Sequence, residues 1–144
     1  MAKMFIIALC LLSLAQLSGA VDDLLYLDPE GVKALDAVLT KLNSIFAYKH
    51  EERLRFLFND RSEVEYHGMR YKGFEKIREW FRKMIHEEQF SYVMFQTKWD
   101  MATDLSEVRA NGVVQLNGND KQFSIRIVFD ESFQNIVESL VISD

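Results

Sequence analysis

Residues 58–81 read FNDRSEVEYHGMRYKGFEKIREWF, and this stretch decides the fold. Asn59-Asp60 ends a helical pattern, because Asn and Asp favour turns. Ser62–His67 then alternates apolar and polar side chains, which predicts a strand. After Gly73 the apolar side chains recur at helical spacing, which predicts a helix carrying Phe74, Ile77, Phe81 and Met84/Ile85.

Two more amphipathic helices are predicted upstream of this stretch. Asp28-Pro29-Glu30 combines an N-cap residue, a proline at the first helical position and an acid in the first turn. Apolar side chains then recur every three to four residues as far as Phe46, which predicts one long helix. A shorter helix is predicted around Glu51–Phe58, with Leu54 and Leu57 on its apolar side.

Downstream of Glu88 the hydrophobic period changes from helical spacing to two, which predicts strands. Four are expected: Tyr92–Trp99, Glu107–Leu116, Lys121–Phe129 and Ile136–Ser143. The element order is therefore α-α-β-α-β-β-β-β. Sequential antiparallel strands place the chain in the α+β class, with three helices of the N-terminal half packed on a curved antiparallel sheet.

The two central strands have clear faces. Their inner face should pack on the helices, and Gly112 inside a strand indicates a bulge or bend that would curve the sheet. The inner residues are Val108, Ala110, Gly112, Val114 and Leu116 in one strand, and Phe123, Ile125, Ile127 and Phe129 in the next. The last strand is apolar on both sides, so its register stays open.

Residues 1–20 have the layout of a secretory signal peptide. Lys3 gives a positive start, Met4–Leu17 carries no charge, and Ser18-Gly19-Ala20 supplies small side chains before the expected cleavage. The uncharged run is short for a membrane span. We therefore expect a signal peptide over 1–20, one domain over 21–144, a secreted protein and no membrane contact after cleavage. An uncleaved signal anchor is the alternative.

Charge and cysteine content exclude several classes of protein. The chain has 17 Lys and Arg against 22 Asp and Glu, a net charge of −5, which argues against a nucleic-acid binder. The one cysteine, Cys10, lies in the expected signal peptide, so packing and not disulfides must stabilise the domain. No histidine has metal-ligand spacing to another, so neither a metal nor a cofactor is expected.

The element order and one local signature resemble the nuclear-transport-factor-2-like (NTF2-like) superfamily. Its cone-shaped α+β fold also occurs in ketosteroid isomerases, scytalone dehydratase and polyketide cyclases. The likeness covers roughly residues 30–144, and its signature is an end-of-helix acid, a strand and a Tyr-x-Gly-x-x-x-Ile pattern. The matching residues are Phe58-Asn59-Asp60, Val64–Gly68, Tyr71–Ile77 and Trp80-Phe81. A secreted version without disulfides looks like small extracellular members from animals such as nematodes.

This resemblance implies a pocket between the helices and the curved sheet, open at the wide end of the cone. Such a pocket should be lined by apolar side chains, with a few polar groups that orient a ligand. We expect a small apolar ligand there. The residues predicted to line the pocket are Tyr48, Tyr66, Phe95, Trp99, Ile125 and Ile127.

Isomerase and dehydratase chemistry find little support in the sequence. Ketosteroid isomerase chemistry needs two inward carboxyl groups, a base and a neutral acid. The resemblance places these positions near Tyr66 and Ile125, and neither residue is a carboxylate. Tyr66 and His67 are adjacent, so on a regular strand they would point to opposite faces and could not act together.

Glu138 is the remaining catalytic candidate. If Leu140 and Ile142 face inward, strand alternation also turns Glu138 inward, where it would form an acid/base site with Tyr48, Tyr66 or Tyr92. In the opposite register Val137 and Val141 pack on the core and Glu138 is solvated.

Two function classes follow, with an enzyme as the alternative. The first is a secreted, non-catalytic module that binds a small apolar ligand. The second is a protein that forms a homodimer through the outer face of its sheet. The alternative is an enzyme of the cyclase, isomerase or dehydratase type around Glu138 and Tyr66. The expected dimer face comprises Arg109, Asn111, Val113, Gln115, Arg126 and Val128.

Overall fold

A computed structural model describes residues 29–90, 92–103, 107–129 and 134–144, with the backbone alone for 98–103. The expected signal peptide over 1–20 and the expected cap Asp28 lie outside the described residues. The helices are α1 (Pro29–Tyr48), a 3₁₀ helix (Glu51–Phe56) and α2 (Phe74–Arg82), which runs into a π-helical turn (Lys83–Glu87). The strands are β1 (Glu63–Tyr66), β2 (Met69–Lys72), β3 (Val93–Thr103), β4 (Glu107–Leu116), β5 (Asn119–Phe129) and β6 (Asn135–Ser143).

All six strands form one curved sheet in the order β2-β1-β6-β5-β4-β3. Neighbouring strands are antiparallel except β1 and β6, which are parallel. The α+β architecture is confirmed, while the short strand β2 and the parallel pair are additions to the expected antiparallel sheet. Only Tyr71 of β2 is buried, so this strand lacks the alternation that predicts strands. The direction of β1 relative to β6 depends on the path of the chain between them, which periodicity does not report.

The inner face of the sheet packs on the helices as expected. The alternation in β4 and β5 is confirmed over most of both strands, because Val108, Ile125 and Ile127 are buried while Arg109 and Ser124 are exposed. The expectation that Phe129 is buried with them is wrong: it is 38% exposed, because β5 ends there. The apolar stripe of α1 is buried as well, and its buried residues are Ala34, Leu35, Val38, Leu39, Leu42, Ile45 and Phe46. These burial patterns confirm one core between the helices and the sheet.

A pair of hydrogen bonds fixes α1 against the edge strand β3. The side-chain amide of Asn43 donates to the backbone carbonyl of Phe95 at 3.1 Å, and the Phe95 N–H donates to Asn43 Oδ1 at 2.7 Å. Hydrogen bonds to a part-buried backbone group satisfy donors and acceptors that would otherwise be costly. Asn43 therefore positions the helix along the strand.

The expected bulge at Gly112 is confirmed. Gly112 pairs with Thr97, and the register between β3 and β4 shifts before the next pair, Met101 with Ala110. A Cβ atom at Gly112 would lie 2.2 Å from the Gln96 carbonyl oxygen, so only glycine fits this approach of the two strands. Such irregularities bend a sheet.

A second bulge, in β6, decides the orientation of Glu138. Ile127 pairs with Val137 and Arg126 pairs with Ser139, so Glu138 is the extra residue. Leu140 and Val137 are both buried, which simple alternation forbids. The expectation that an inward Leu140 turns Glu138 inward is wrong, because the bulge shifts the parity between them. Glu138 lies half-buried, and its Oε1 is 3.5 Å from Nη1 of Arg126.

Glu51 connects the 3₁₀ helix to α2. Arg82 donates to both Glu51 carboxylate oxygens, one bond being 3.0 Å long, and Arg78 donates at 3.4 Å. The hydrogen bonds from Arg82 and then Arg78 hold the pKa of Glu51 below its ordinary value. A carboxyl group with a lowered folded-state pKa stabilises the fold above its unfolded-state pKa, and this stabilisation is lost as the pH falls.

We therefore expect Glu51→Gln to lower the free energy of unfolding by about 0.5–1 kcal/mol at neutral pH, the range of pairs near the surface. The difference from the unsubstituted protein should shrink below about pH 4, where an unfolded glutamate begins to be protonated, and vanish as the pH falls through the lower folded-state pKa of Glu51. Urea unfolding between pH 3 and pH 7 measures this. Glu75→Gln is the control, since Glu75 forms an ion pair with Arg78 as well but is far more exposed than Glu51. An equal loss for both variants, or a pH-independent loss, would contradict the role of Glu51.

Within the described ranges, no helix combines the length and the apolar character needed to cross a bilayer.

Candidate ligand-binding site

The interior of the cone is filled by side chains that were expected to line a pocket. The ring of Phe95 lies 5.2 Å from that of Phe123 and 6.2 Å from that of Phe46, between centroids. Aromatic pairs at these distances are in packing contact. Four of the six expected lining residues belong to this core: Tyr66, Phe95, Ile125 and Ile127.

The other two expected lining residues are not in the core. Tyr48 is 70% exposed, and its ring stacks on His50 with 5.8 Å between centroids. Tyr48 therefore lies at the surface, because α1 ends there and turns it away from the sheet. The side chain of Trp99 lies outside the described residues. Among the side chains that the structure describes, the residues expected to line the pocket therefore do not share a cavity.

Tyr66 makes a polar contact at the β1 end of the core. Its hydroxyl donates to Oε2 of Glu88 at 2.7 Å, and the tyrosine is 2% exposed. Burial raises the pKa of Tyr66 well above its ordinary value, and the hydrogen bond to Glu88 raises it further. The phenol therefore stays protonated at neutral pH and serves as a hydrogen-bond donor, not as a base.

The expectation that Tyr66 and His67 point apart is wrong. Their ring centroids are 4.2 Å apart. Strand β1 ends at Tyr66, and His67 with Gly68 forms a tight turn in which both residues have positive φ, 52° and 73°. Strand alternation does not apply within such a turn.

A surface cleft of about 400 Å³ adjoins this turn. At its rim Lys121 forms an ion pair with Asp144, and this contact lowers the pKa of Asp144. The Tyr66 hydroxyl is buried and already donates to Glu88, so it offers no free catalytic group to a molecule in the cleft. Among the described residues, no three His, Cys, Asp or Glu side chains lie close enough to hold a metal ion.

Glu138 and Tyr66 are not brought together. Tyr66 is on the inner face of the sheet, whereas Glu138 contacts Arg126 on the outer face. The acid/base site expected from these two residues is therefore not assembled. The sheet itself separates them.

The six residues of the expected dimer face do share the outer side of the sheet. Arg109 and Asn111 are exposed, and the remaining four are half-buried. Their charges are paired within the chain, because Glu107 accepts from Arg109 at 2.7 Å and also pairs with Arg126. The half-buried members are Val113, Gln115, Arg126 and Val128.

A larger opening lies beside α1, and we call it the α1 cleft. It has a volume of about 550 Å³ and three walls: α1, the 3₁₀ helix with Leu57 after it, and the start of β6 with Gln134 before it. The N–H of Val137 donates to the Leu57 carbonyl at 2.7 Å, which joins the second and third walls. The lining residues are Thr40, Lys41, Ser44, Ile45, Arg53, Phe56, Leu57, Gln134 and Asn135.

The α1 cleft has an apolar floor and a polar rim. Ile45 and Leu57 are buried at its base, and Phe56 is 54% exposed beside it. Lys41 and Arg53 are exposed at the rim. This site was not predicted from the sequence, although Phe56 is a signal for it, as a large apolar residue on the polar side of the second helix.

No protein-family model and no curated protein sequence matches the chain. Solved structures do match in fold. An NTF2-like protein of unknown function from Shewanella oneidensis superposes with a TM-score of 0.67 at 10% identity, covering 78% of this chain and 98% of that one. A de novo designed protein with a curved β-sheet gives 0.61 at 14% identity, covering 76% and 99%. A candidate polyketide cyclase from Sinorhizobium meliloti gives 0.55 at 14% identity, covering 76% and 98%.

These likenesses agree with the element order, the curved six-stranded sheet and the helices on its inner face. At such low sequence identity they indicate the fold alone, since this fold occurs in proteins of unrelated function. The chain has the NTF2-like α+β cone fold.

Proposed function

We propose that this protein is a non-catalytic binding module that holds a small, largely apolar molecule in the α1 cleft. The observation that carries the proposal is the cleft itself, with about 550 Å³ of space over the buried side chains of Ile45 and Leu57. Ligand sites are usually concave, mostly apolar and of this size. The exposed ring of Phe56 supports the proposal, because large exposed apolar groups beside a cleft mark binding surfaces.

The absence of an assembled acid/base pair favours binding over catalysis. Tyr66 is buried and protonated, and Glu138 is on the opposite face. A general acid or base must reach the proton that it transfers. The enzyme alternative therefore has no supporting geometry among the described residues.

Filling the α1 cleft tests the proposal. Ser44→Trp places an indole among the lining residues and should abolish ligand retention without unfolding the protein. Asp36→Trp is the matched control, an exposed position of α1 away from the lining. Native mass spectrometry of protein purified from its own source should show a bound small molecule in the unsubstituted protein and the control. Retention by Ser44→Trp, or no ligand in any sample, would contradict the proposal.

A second proposal concerns self-association through the outer sheet face. Half-buried Val113 and Val128 lie beside charges that are already paired within the chain, Glu107 with Arg126 and Arg126 with Glu138. Neutralised charges cost less to bury than single ones, which suits a two-fold contact between identical faces.

We expect the protein to sediment as a dimer at tens of micromolar, and Val113→Asp to sediment as a monomer. An isolated charge cannot be buried cheaply in such a contact. Asp36→Arg, on the helical side, should leave the dimer intact. Circular dichroism of each variant verifies folding. If the unsubstituted protein is a monomer at that concentration, the proposal of self-association is contradicted.

Export through the secretory pathway is the third part of the proposal. It depends on the signal-peptide layout of residues 1–20, and it matches the resemblance to small extracellular members of the superfamily. Expression in a secreting animal cell should release protein whose N-terminus is Val21. Retention in the cell with Met1 or Ala2 at the N-terminus would contradict it.

A further inference from the structure

A second cleft continues the α1 cleft along the same helix. It measures about 400 Å³ and is lined by Ala34, Ala37 and Phe129, with Glu30 and Lys33 at its outer end. Asn135 lines both clefts, so they adjoin. We call this second opening the distal cleft.

The two clefts together follow one side of α1. Their helical lining positions recur every three or four residues from Glu30 to Ile45, which is the spacing of a single helix face. At 1.5 Å rise per residue this face is about 22 Å long. The combined groove is therefore long and narrow, a shape that suits an extended chain better than a compact ring system.

Charge is distributed unequally along this groove. At the distal end Lys33 is paired with Glu30 at 3.8 Å. At the other end Lys41 and Arg53 both line the α1 cleft, and neither has an acidic partner among the described residues. Between the two ends α1 contributes Ala34, Ala37 and Thr40 to the lining, which are small and uncharged. The groove thus has one cationic end and one neutral end.

From this asymmetry we infer that the ligand is an elongated amphiphile with a single carboxylate head. The head lies between Lys41 and Arg53, and the hydrocarbon tail follows α1 into the distal cleft towards Phe129. Arginine and lysine bind carboxylates through charge-assisted hydrogen bonds. Burial of the tail over Ala34 and Ala37 supplies the apolar contribution. This inference rests on the proposed function, since it names the chemistry of the same site.

Head-group specificity is the first part of the test. Dodecanoate and dodecan-1-ol have the same chain length and differ in charge. In titrations of the full chain that follow displacement of a fluorescent probe, dodecanoate should bind about tenfold more tightly, as expected for charged hydrogen bonds. The double variant Lys41→Gln, Arg53→Gln should lose this preference and leave the alcohol unchanged. Lys72→Gln, on β2, is the matched charge control and should change neither.

The path of the hydrocarbon tail is the second part of the test. Ala37→Trp should weaken dodecanoate binding about tenfold and leave hexanoate unaffected, because only the longer chain reaches the distal cleft. Near-ultraviolet circular dichroism confirms that each variant is folded.

The outcomes separate this inference from the proposed function. If acid and alcohol bind equally and Ser44→Trp abolishes both, the site stands and the carboxylate inference is overturned. If Ala37→Trp weakens hexanoate as much as dodecanoate, the tail path is overturned. If neither amphiphile binds, but the protein sediments with vesicles of phosphatidylserine, the cationic end contacts a membrane surface and the inference fails. If native mass spectrometry also finds no ligand, the proposed function fails with it.

Discussion

Replacing Gly112 by alanine should lower the free energy of unfolding by about 3 kcal/mol, the upper range of overpacking in a core. The added Cβ would lie 2.2 Å from the backbone carbonyl oxygen of Gln96 and 2.6 Å from the ring of Phe123. The φ angle of Gly112 is not in the left-handed region. The expected loss therefore comes from the close approach of two strands at the bulge, not from backbone preference.

Gly118→Ala is the control for this prediction. Gly118 has φ 85°, and its added Cβ would meet no atom within 4 Å, so its cost is conformational and about 1 kcal/mol. Urea unfolding of both variants separates the two effects. The pair Gly112→Ala, Phe123→Leu should regain only part of the loss, because the Gln96 carbonyl cannot move aside. A Gly112→Ala protein as stable as Gly118→Ala would contradict the bulge geometry.

Replacing Phe46 by alanine should lower the free energy of unfolding by about 3–5 kcal/mol, the usual range for removing a buried aromatic ring. Phe46 is 3% exposed on α1. Its ring centroid lies 5.0 Å from that of Phe81, 5.7 Å from that of Trp80 and 6.2 Å from that of Phe95. It therefore joins α1 to α2 and to β3.

Phe56→Ala is the matched control, since it removes the same side chain from the α1 cleft. Its ring is 54% exposed, so we expect stability to change by less than about 0.5 kcal/mol. Amphiphile affinity should fall instead. Thermal and urea unfolding of the two variants, with a binding titration, give the comparison. Equal stability losses for Phe46→Ala and Phe56→Ala would contradict the assigned core.

Most of the fold could be predicted because its strands are half-buried. Arg109 and Val108 differ so clearly in character that alternation identifies the inner face of β4, and the same holds for Ser124 and Ile125 in β5. The glycine at 112 indicated the bend for a stated physical reason. Such signals are local, so a single sequence displays them.

What could not be predicted depends on departures from regular alternation. Glu138 has the same parity as Leu140, and nothing in its neighbours indicates that Glu138 is itself an extra residue in β6. His67 follows a strand, and its turn conformation brings its ring against Tyr66. Both predictions, for Glu138 and for His67, were wrong because they assumed a regular strand where the backbone is irregular.

The candidate site could not be predicted because three segments distant in sequence form it. Hydrophobic periodicity describes one element at a time, and it correctly placed Ile45 and Leu57 on buried faces. It does not show that Asn135 lies opposite them across an opening. The one signal in the sequence is Phe56, a large apolar residue on the polar side of the second helix.

The location of bound ligand tests the central claim most directly. Amide resonances of isotopically labelled protein, titrated with 1-anilinonaphthalene-8-sulfonate, identify the residues that contact an anionic aromatic probe. We predict that the largest shifts occur at Lys41, Ser44 and Phe56 in the α1 cleft. Largest shifts at Tyr66, Phe95 and Ile125, within the cone interior, would contradict the account.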